Sequence, residues 1–216
     1  MASKEKSSLI FFLVTVFSIL TVLVAKQVTR PLDLATMYFL QRFANLWLDR
    51  GLFLLTWFGS VEFSCFVLLM LSWHLYQKYQ WPGVFLYLFF FVALSGFEFL
   101  WKYVVAYTGP GPEFDRHPFL VGLIKIAIPY SFPSGHTFRS VFLLGMWFER
   151  LDHPQLPQKG NKGLQKAFIA VLIFLVGLSR VYLGDHWLSD VIGGMLLAWI
   201  GLLLVSQSRH YELNLV

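Results

Sequence analysis

Between Ser7 and Ala25 the chain carries no charged side chain, and further predominantly apolar runs follow along its length. That pattern constrains the fold more than any other feature. A helix of about 20 apolar residues crosses a hydrocarbon core about 30 Å thick, and within it the helix satisfies its own backbone polar groups. Only 13% of the 216 residues are charged and 57% are hydrophobic, where a soluble domain carries roughly 25% charged residues. Too little polar surface exists to coat a water-soluble globule. A soluble enzyme, a disordered segment and a secreted disulfide scaffold are thereby excluded. The single Cys65 has no intramolecular partner. The 17 Lys and Arg give a net charge of +5 but form no stripe, so the basic excess suits anionic lipid headgroups and no nucleic-acid partner is expected. The chain reads as an all-α, polytopic membrane protein, one domain over residues 1–216.

Hydropathy predicts six spans. The first is Ser7 to Ala25; as a signal peptide it is too long in its apolar part, and Leu23 stands where cleavage after Ala25 wants a small residue. The stretch Lys26 to Arg50 carries Arg30, Asp33, Arg42, Asp49 and Arg50 among Leu34, Met37, Tyr38, Leu40, Phe43 and Leu46. This predicts a helix lying in the interface. The second span is expected over Gly51 to Tyr76, with Glu62 as a structural buried acid, and the third over Trp81 to Trp101. The fourth and fifth, around Phe138 to Phe148 and Ala167 to Ser179, are short, and the sixth runs from Trp187 to Val205. Six spans put both termini on one side, with Lys4, Lys6, Lys78, Arg209 and the basic loop Arg150 to Lys166. Setting aside the basic residues assigned to a site, the positive-inside rule favours a cytoplasmic amino terminus.

Three polar clusters interrupt this apolar background: Lys102 with Tyr107, Thr108 and Gly109-Pro110-Gly111-Pro112; Ser131 to His136; and Ser179 to Asp190. Intramembrane ionisable residues are costly and invite a functional explanation. Singly, each has an ordinary reading: Lys102 snorkelling, Ser134-Gly135 a helix cap, a histidine at a helix end merely solvated. By connectivity, however, all three clusters fall on one membrane face. Lys102, Arg180 and a Ser-Gly helix start suit a phosphate ester, the cations neutralising oxyanions and backbone N–H groups donating to them. His136 and His186 suit attack by one and leaving-group protonation by the other. Asp190, four residues after His186, is placed to orient its ring. Glu98 precedes Lys102 by four, the spacing of a helical ion pair. Two histidines can also ligate zinc, but there is one cysteine and no His-Glu-x-x-His spacing; no metal or other cofactor is expected.

These residues resemble the type 2 phosphatidic acid phosphatase superfamily, whose signature is K-x6-R-P, P-S-G-H and S-R-x5-H-x3-D. The second motif is complete as Pro133-Ser134-Gly135-His136 and the third as Ser179-Arg180, His186 and Asp190; the first departs, with Gly109 in place of Arg after Lys102. The resemblance covers about residues 102–194. It implies a six-helix membrane fold and metal-independent hydrolysis of a lipid phosphomonoester or pyrophosphate. His186 would be the nucleophile, Asp190 its orienting acid and His136 the proton donor. Lys102, Ser134, Gly135 and Arg180 would bind phosphate, with Arg139 or Arg116 supplying the guanidinium missing at Gly109. The site is expected at the outer membrane–water boundary, on the periplasmic or extracellular side. Its substrate would be a lipid phosphate: an isoprenyl diphosphate, phosphatidylglycerophosphate, phosphatidate or a lipid A phosphate. A phosphotransferase using the same histidine, and a non-catalytic lipid-phosphate binding or transport protein, are the alternatives. The sequence is silent on oligomeric state.

Overall fold

The computed structural model describes residues 3–79, 84–118, 129–151 and 160–213. They form α1 (Ser3–Ala25), α2 (Arg30–Gln41), α3 (Leu46–Thr56), α4 (Val61–Tyr79), α5 (Val84–Val105), α6 (Gly135–Arg150), α7 (Lys162–Tyr182) and α8 (Leu188–Leu213). Among the described residues, β pairing is confined to one bridge between Thr108 and Tyr130. The all-α expectation holds. Four helices are long and apolar enough to cross a bilayer: Lys4–Ala25, Val84–Val105, Lys162–Tyr182 and Leu188–Ser208. The pair α3 and α4 makes a fifth if counted as one span, bent by 47°. Length and composition thus support four or five crossings where six were expected. The difference is α6: its 16 residues rise only about 24 Å at 1.5 Å each.

The second span is broken, not continuous. A 3₁₀ turn at Trp57–Gly59 separates α3 from α4, and the carbonyl of Gly59 accepts Arg139 Nε at 3.0 Å from α6. Glu62 is exposed at the start of α4, which corrects the expectation of a buried acid. The interfacial stretch is likewise two helices. Asn45, in an extended conformation, caps α3 by accepting from the N–H groups of Trp47 and Leu48 at 3.1 and 3.0 Å. Trp81 and residues 152–159 of the basic loop lie outside the described residues, as do the side chains of Lys78 and Arg209.

The core is built on α6 against α8. Phe138, Val141, Phe142 and Met146 are buried with Leu197, Ala198, Leu202 and Val205. Phe91 from α5 packs on Phe142 with ring centroids 5.8 Å apart, and Phe17 from α1 stacks on Phe132 at 5.9 Å. Outward faces are apolar as well: Phe11, Phe89, Val92, Leu100 and Phe174 are exposed. In a soluble protein such a surface would aggregate; lipid is the solvent that suits it. The protein is a multi-pass membrane protein.

Candidate active site

The C-terminal end of α5 places Lys102 in the interior, where it does not snorkel. Its ammonium lies 3.1 Å from Glu98 Oε1 and donates to the carbonyls of Ser131 and Pro133 at 2.9 and 2.7 Å. The expected Glu98–Lys102 pair therefore exists, and it ties α5 to the loop preceding α6. Ser134 caps α6, its hydroxyl oxygen accepting from the N–H and hydroxyl of Thr137 at 3.3 and 3.0 Å. Gly135 opens that helix under tight confinement. A Cβ there would stand 2.7 Å from Glu98 Oε1 and 2.9 Å from an Arg139 terminal nitrogen. Only glycine leaves Glu98 and Arg139 where they are.

The third cluster is shaped by the end of α7. Gly184 has a φ of +80°; its N–H bonds the carbonyl of Val181, and the N–H of Asp185 bonds that of Arg180, both at 3.1 Å. This is a Schellman turn, which a side chain at the left-handed position would strain. It folds the chain back so that the N–H of His186 also reaches the Arg180 carbonyl at 3.1 Å. His186 Nδ1 then lies 3.3 Å from Asp190 Oδ2, and Asp190 is fully buried. Burial pushes the His186 imidazole below its usual range, with Lys102 and Arg180 adding to the lowering and Asp190 opposing it.

These clusters meet. The N–H of Ser134 donates to the Asp190 carbonyl at 2.9 Å, joining the second cluster to the third. His136 is half-buried and lies within electrostatic reach of Arg180, Arg139, His186 and Lys102. Arg180 is buried and has already two partners, the hydroxyl of Thr56 and Asp185 Oδ2 at 2.9 Å; among the described residues its Nε has none. Arg139 stands beside Gly135, 3.9 Å from Glu98. Arg116 is turned elsewhere, with one terminal nitrogen 3.1 Å from Asp49 Oδ2 on α3. Gly109 has room beside it, since a Cβ would meet only Ser131 Cβ at 3.5 Å. Among the described residues, no three His, Cys, Asp or Glu side chains are grouped to hold a metal ion.

Several participants escaped the sequence reading. Thr56 is buried at the break between α3 and α4 and carries no motif. His117, which belongs to none of the three clusters, lies 3.3 Å from Asp185 and 2.6 Å from Asp115. Its hydrogen bond to Asp185 raises its basicity above the usual range, against the opposing effect of burial. Burial alone would raise the Asp185 carboxyl, but attraction to Arg180 and the bond from His117 bring it down to about 2. A mostly apolar cleft of about 240 Å³ between α4, α5 and α6 is lined by Val61, Cys65, Phe91, Val92, Ser95 and Phe99, with Glu98 and Arg139 as its charged lining.

The family model described as the PAP2 superfamily matches residues 84–213. Phosphatidylglycerophosphatase B of Bacillus subtilis (strain 168) is 36% identical over 85 residues, which are 38% of this chain and 39% of that protein. The chain thus matches well under half the length of this curated relative. The crystal structure of a transmembrane PAP2-type phosphatidylglycerolphosphate phosphatase from Bacillus subtilis superposes with a TM-score of 0.79 at 22% identity, covering 94% of this chain and 96% of that one. Aquifex aeolicus LpxE superposes with a TM-score of 0.57 at 22% identity, over 81% of this chain and 94% of the other.

Proposed function

The chain belongs to the PAP2 superfamily, and from that premise we propose that it is a membrane-embedded lipid phosphatase working through a phosphohistidine. The observation that carries this reading is the contact of His186 Nδ1 with Asp190 in the same cluster as Lys102, Arg180 and His136. A carboxylate on Nδ1 keeps the proton there and leaves the Nε2 lone pair free, which is the tautomer a nucleophile needs. His186 Nε2 attacks phosphorus, an N–P bond forms, and the bond to the leaving oxygen breaks. His136 gives that oxygen a proton. Neutral His136 then takes a proton from water as the water attacks the phosphohistidine. The N–P bond breaks, and inorganic phosphate leaves.

Charge on the transferring oxygens is met by Lys102, Arg180 and the N–H groups at the start of α6, capped by Ser134 and opened by Gly135. Such preorganised donors are worth most where water is scarce. The route asks nothing of a metal ion. Arg139, beside Gly135, is the better candidate for the guanidinium that Gly109 does not provide, since Arg116 is engaged by Asp49. The apolar cleft that also includes Glu98 and Arg139 in its lining supports an amphiphilic substrate whose tail stays in lipid while its phosphate enters the polar cluster. The Bacillus relative, a phosphatidylglycerophosphatase, favours phosphatidylglycerophosphate, with phosphatidate, isoprenyl diphosphates and lipid A phosphates as the other substrates to compare. The site faces the periplasmic or extracellular side if the amino terminus is cytoplasmic. Phosphate release by the purified protein in detergent, across those four substrates, is the test. No release from any of them would overturn the proposal.

A further inference from the structure

Asp33 lies on α2, outside all three motif clusters, and is 1% exposed. A buried carboxylate at the membrane interface needs partners, and it has three. Its Oδ1 accepts the backbone N–H of Ser189 at 2.8 Å. Its Oδ2 accepts the Ser189 hydroxyl at 2.8 Å and the Tyr107 hydroxyl at 3.2 Å. Ser189 is in the first turn of α8, where backbone N–H groups have no partner within the helix. Trp187, immediately before that helix, has no side-chain acceptor to cap it. Asp190 reaches back to the Trp187 N–H at 2.9 Å, in the manner of a capping box. Asp33 supplies the rest of the cap from another helix, and both carboxylates sit at the positive end of the α8 dipole.

The placement matters because Asp190 Oδ2 has two tasks. The same oxygen that accepts from Trp187 also faces His186 Nδ1 at 3.3 Å, just beyond the usual hydrogen-bond range of about 2.7–3.2 Å. A displacement of the first turn of α8 by about half an ångström would lose that contact. Tyr107 extends the link to the opposite wall: its carbonyl accepts the Ser131 N–H at 2.8 Å, and Ser131 is one of the carbonyls holding Lys102. One turn earlier on α2, the Arg30 guanidinium lies 4.0 Å over the Trp187 ring, whose Nε1 donates to Thr108 at 2.9 Å. Helix α2 is thereby bonded to both the first-cluster loop and the start of α8.

We propose that Asp33 is a positioning residue for phosphoryl transfer: from the interfacial helix it fixes the first turn of α8, so that Asp190 meets the nucleophile His186. The inference rests on the phosphatase reading above. It makes α2 a part of the site, where the sequence offered only a helix at the membrane surface.

The test uses the full chain in detergent, with phosphate release from phosphatidylglycerophosphate and folding followed by size exclusion and thermal unfolding. Asp33→Ala is expected to lower kcat 10- to 100-fold with KM within threefold of the parent. Asp33→Asn keeps an acceptor for the Ser189 N–H and is expected to retain at least a third of kcat. In an Asp190→Asn background, Asp33→Ala is expected to cost less than a further threefold, because both act through one imidazole; a merely structural role would give the same loss in either background. Parental kcat in folded Asp33→Ala, a loss carried by KM, or independent losses in the double variant would each overturn the inference. If Asp33→Ala does not fold, Ser189→Ala decides: a three- to tenfold fall in kcat at unchanged KM is expected, and a parental kcat overturns it. A parent that releases no phosphate defeats the phosphatase reading itself, whereas an active parent with indifferent Asp33 variants defeats this inference alone.

Discussion

The backbone N–H of Ser134 donates to the carbonyl of Asp190 across 2.9 Å. The loop that starts α6 and the first turn of α8 are therefore joined by main chain, and no side-chain substitution at either residue removes the bond directly. The approach is close because Gly194 lies opposite: a Cβ there would stand 2.5 Å from the Ser134 carbonyl oxygen, 3.1 Å from Thr137 Cβ and 3.2 Å from Phe138 N. The nearest obstacle is backbone. Gly194→Ala is expected to cost about 1–3 kcal/mol of stability through overpacking, and to lower kcat by shifting the two motifs apart. Gly51→Ala is the control, since nothing lies within 4 Å of its Cβ position; in a helix it should be neutral or stabilising by up to about 1 kcal/mol. Thermal unfolding in detergent separates the two.

His186→Ala is expected to abolish turnover with the fold intact. Removing a nucleophile costs several orders of magnitude in rate, whereas a histidine that only fills space costs little. Phosphate release and the unfolding midpoint of the purified variant check it; near-parental turnover would end the phosphohistidine mechanism.

The lowered basicity of His186, caused first by burial, sets the sign of a pH effect. A nucleophilic imidazole must be neutral. With its pKa below the ordinary value of about 6.5, it stays neutral as the pH falls through 6.5, and kcat/KM loses its acid side only at lower pH. A pH–rate profile whose acid limb lies at or above 6.5 would contradict this.

The bridge His117–Asp185–Arg180 gives a separate window, in stability. His117 is raised above 6.5 by Asp185, so its contribution is full below 6.5 and disappears as the pH rises through the raised value. Asp185 is lowered from 3.8 to about 2, so its contribution is present above 3.8 and is lost as the pH falls toward 2. His117→Gln should therefore lower the unfolding midpoint most between about pH 4 and 6.5, with the difference from the parent shrinking toward pH 9. A difference independent of pH would show that the ion pair contributes nothing.

Turnover is expected to survive EDTA and to be inhibited by vanadate. Vanadate adopts the five-coordinate geometry of phosphoryl transfer, and cations and backbone donors complementary to that state should bind it more tightly than substrate. Activity lost on chelation and restored by zinc or magnesium would point to a metal-assisted reaction.

What the sequence disclosed and what it did not divide along one physical line. The residues of the proposed site sit at helix ends, so Lys102, the Ser134 cap and the His186–Asp190 spacing were legible as local chemistry in an apolar background. The i to i+4 pairing of Glu98 with Lys102 was legible for the same reason. Their partners were not, because they come from far along the chain: Thr56 meets Arg180, and Asp33 meets Ser189. The bend between α3 and α4 depends on Arg139 of α6 taking the Gly59 carbonyl, which hydropathy does not register. The shortness of α6 goes with its place in the core, where its buried face packs on α8. Gly184 was readable in principle, as a glycine just beyond an apolar helix, but its turn gains meaning only when His186 is seen folded back over Arg180.

The gap at Gly109 carries the last prediction. A phosphoryl group in transfer spreads charge over three equatorial oxygens, and in the proposed mechanism Lys102 and Arg180 are two cations for three oxygens. Arg139 stands at the start of α6 beside Gly135 and, among the described residues, is held by the Gly59 carbonyl and a 3.9 Å approach to Glu98. Arg116 is half-exposed and committed to Asp49 at 3.1 Å. Arg139→Ala is therefore expected to lower kcat by 10²- to 10³-fold, about 2.7–4 kcal/mol of transition-state stabilisation. Arg116→Ala should change kcat by less than about threefold, since a partly exposed ion pair is worth under about 1 kcal/mol. Gly109→Arg meets no obstacle at Cβ beyond Ser131 at 3.5 Å and should fold. If Arg139 already covers the third oxygen, the added arginine gains little in the parent but rescues part of the loss in Arg139→Ala. If instead Arg139→Ala is harmless and Gly109→Arg alone raises kcat, no guanidinium replaces the one the family carries, and the site works with two cations.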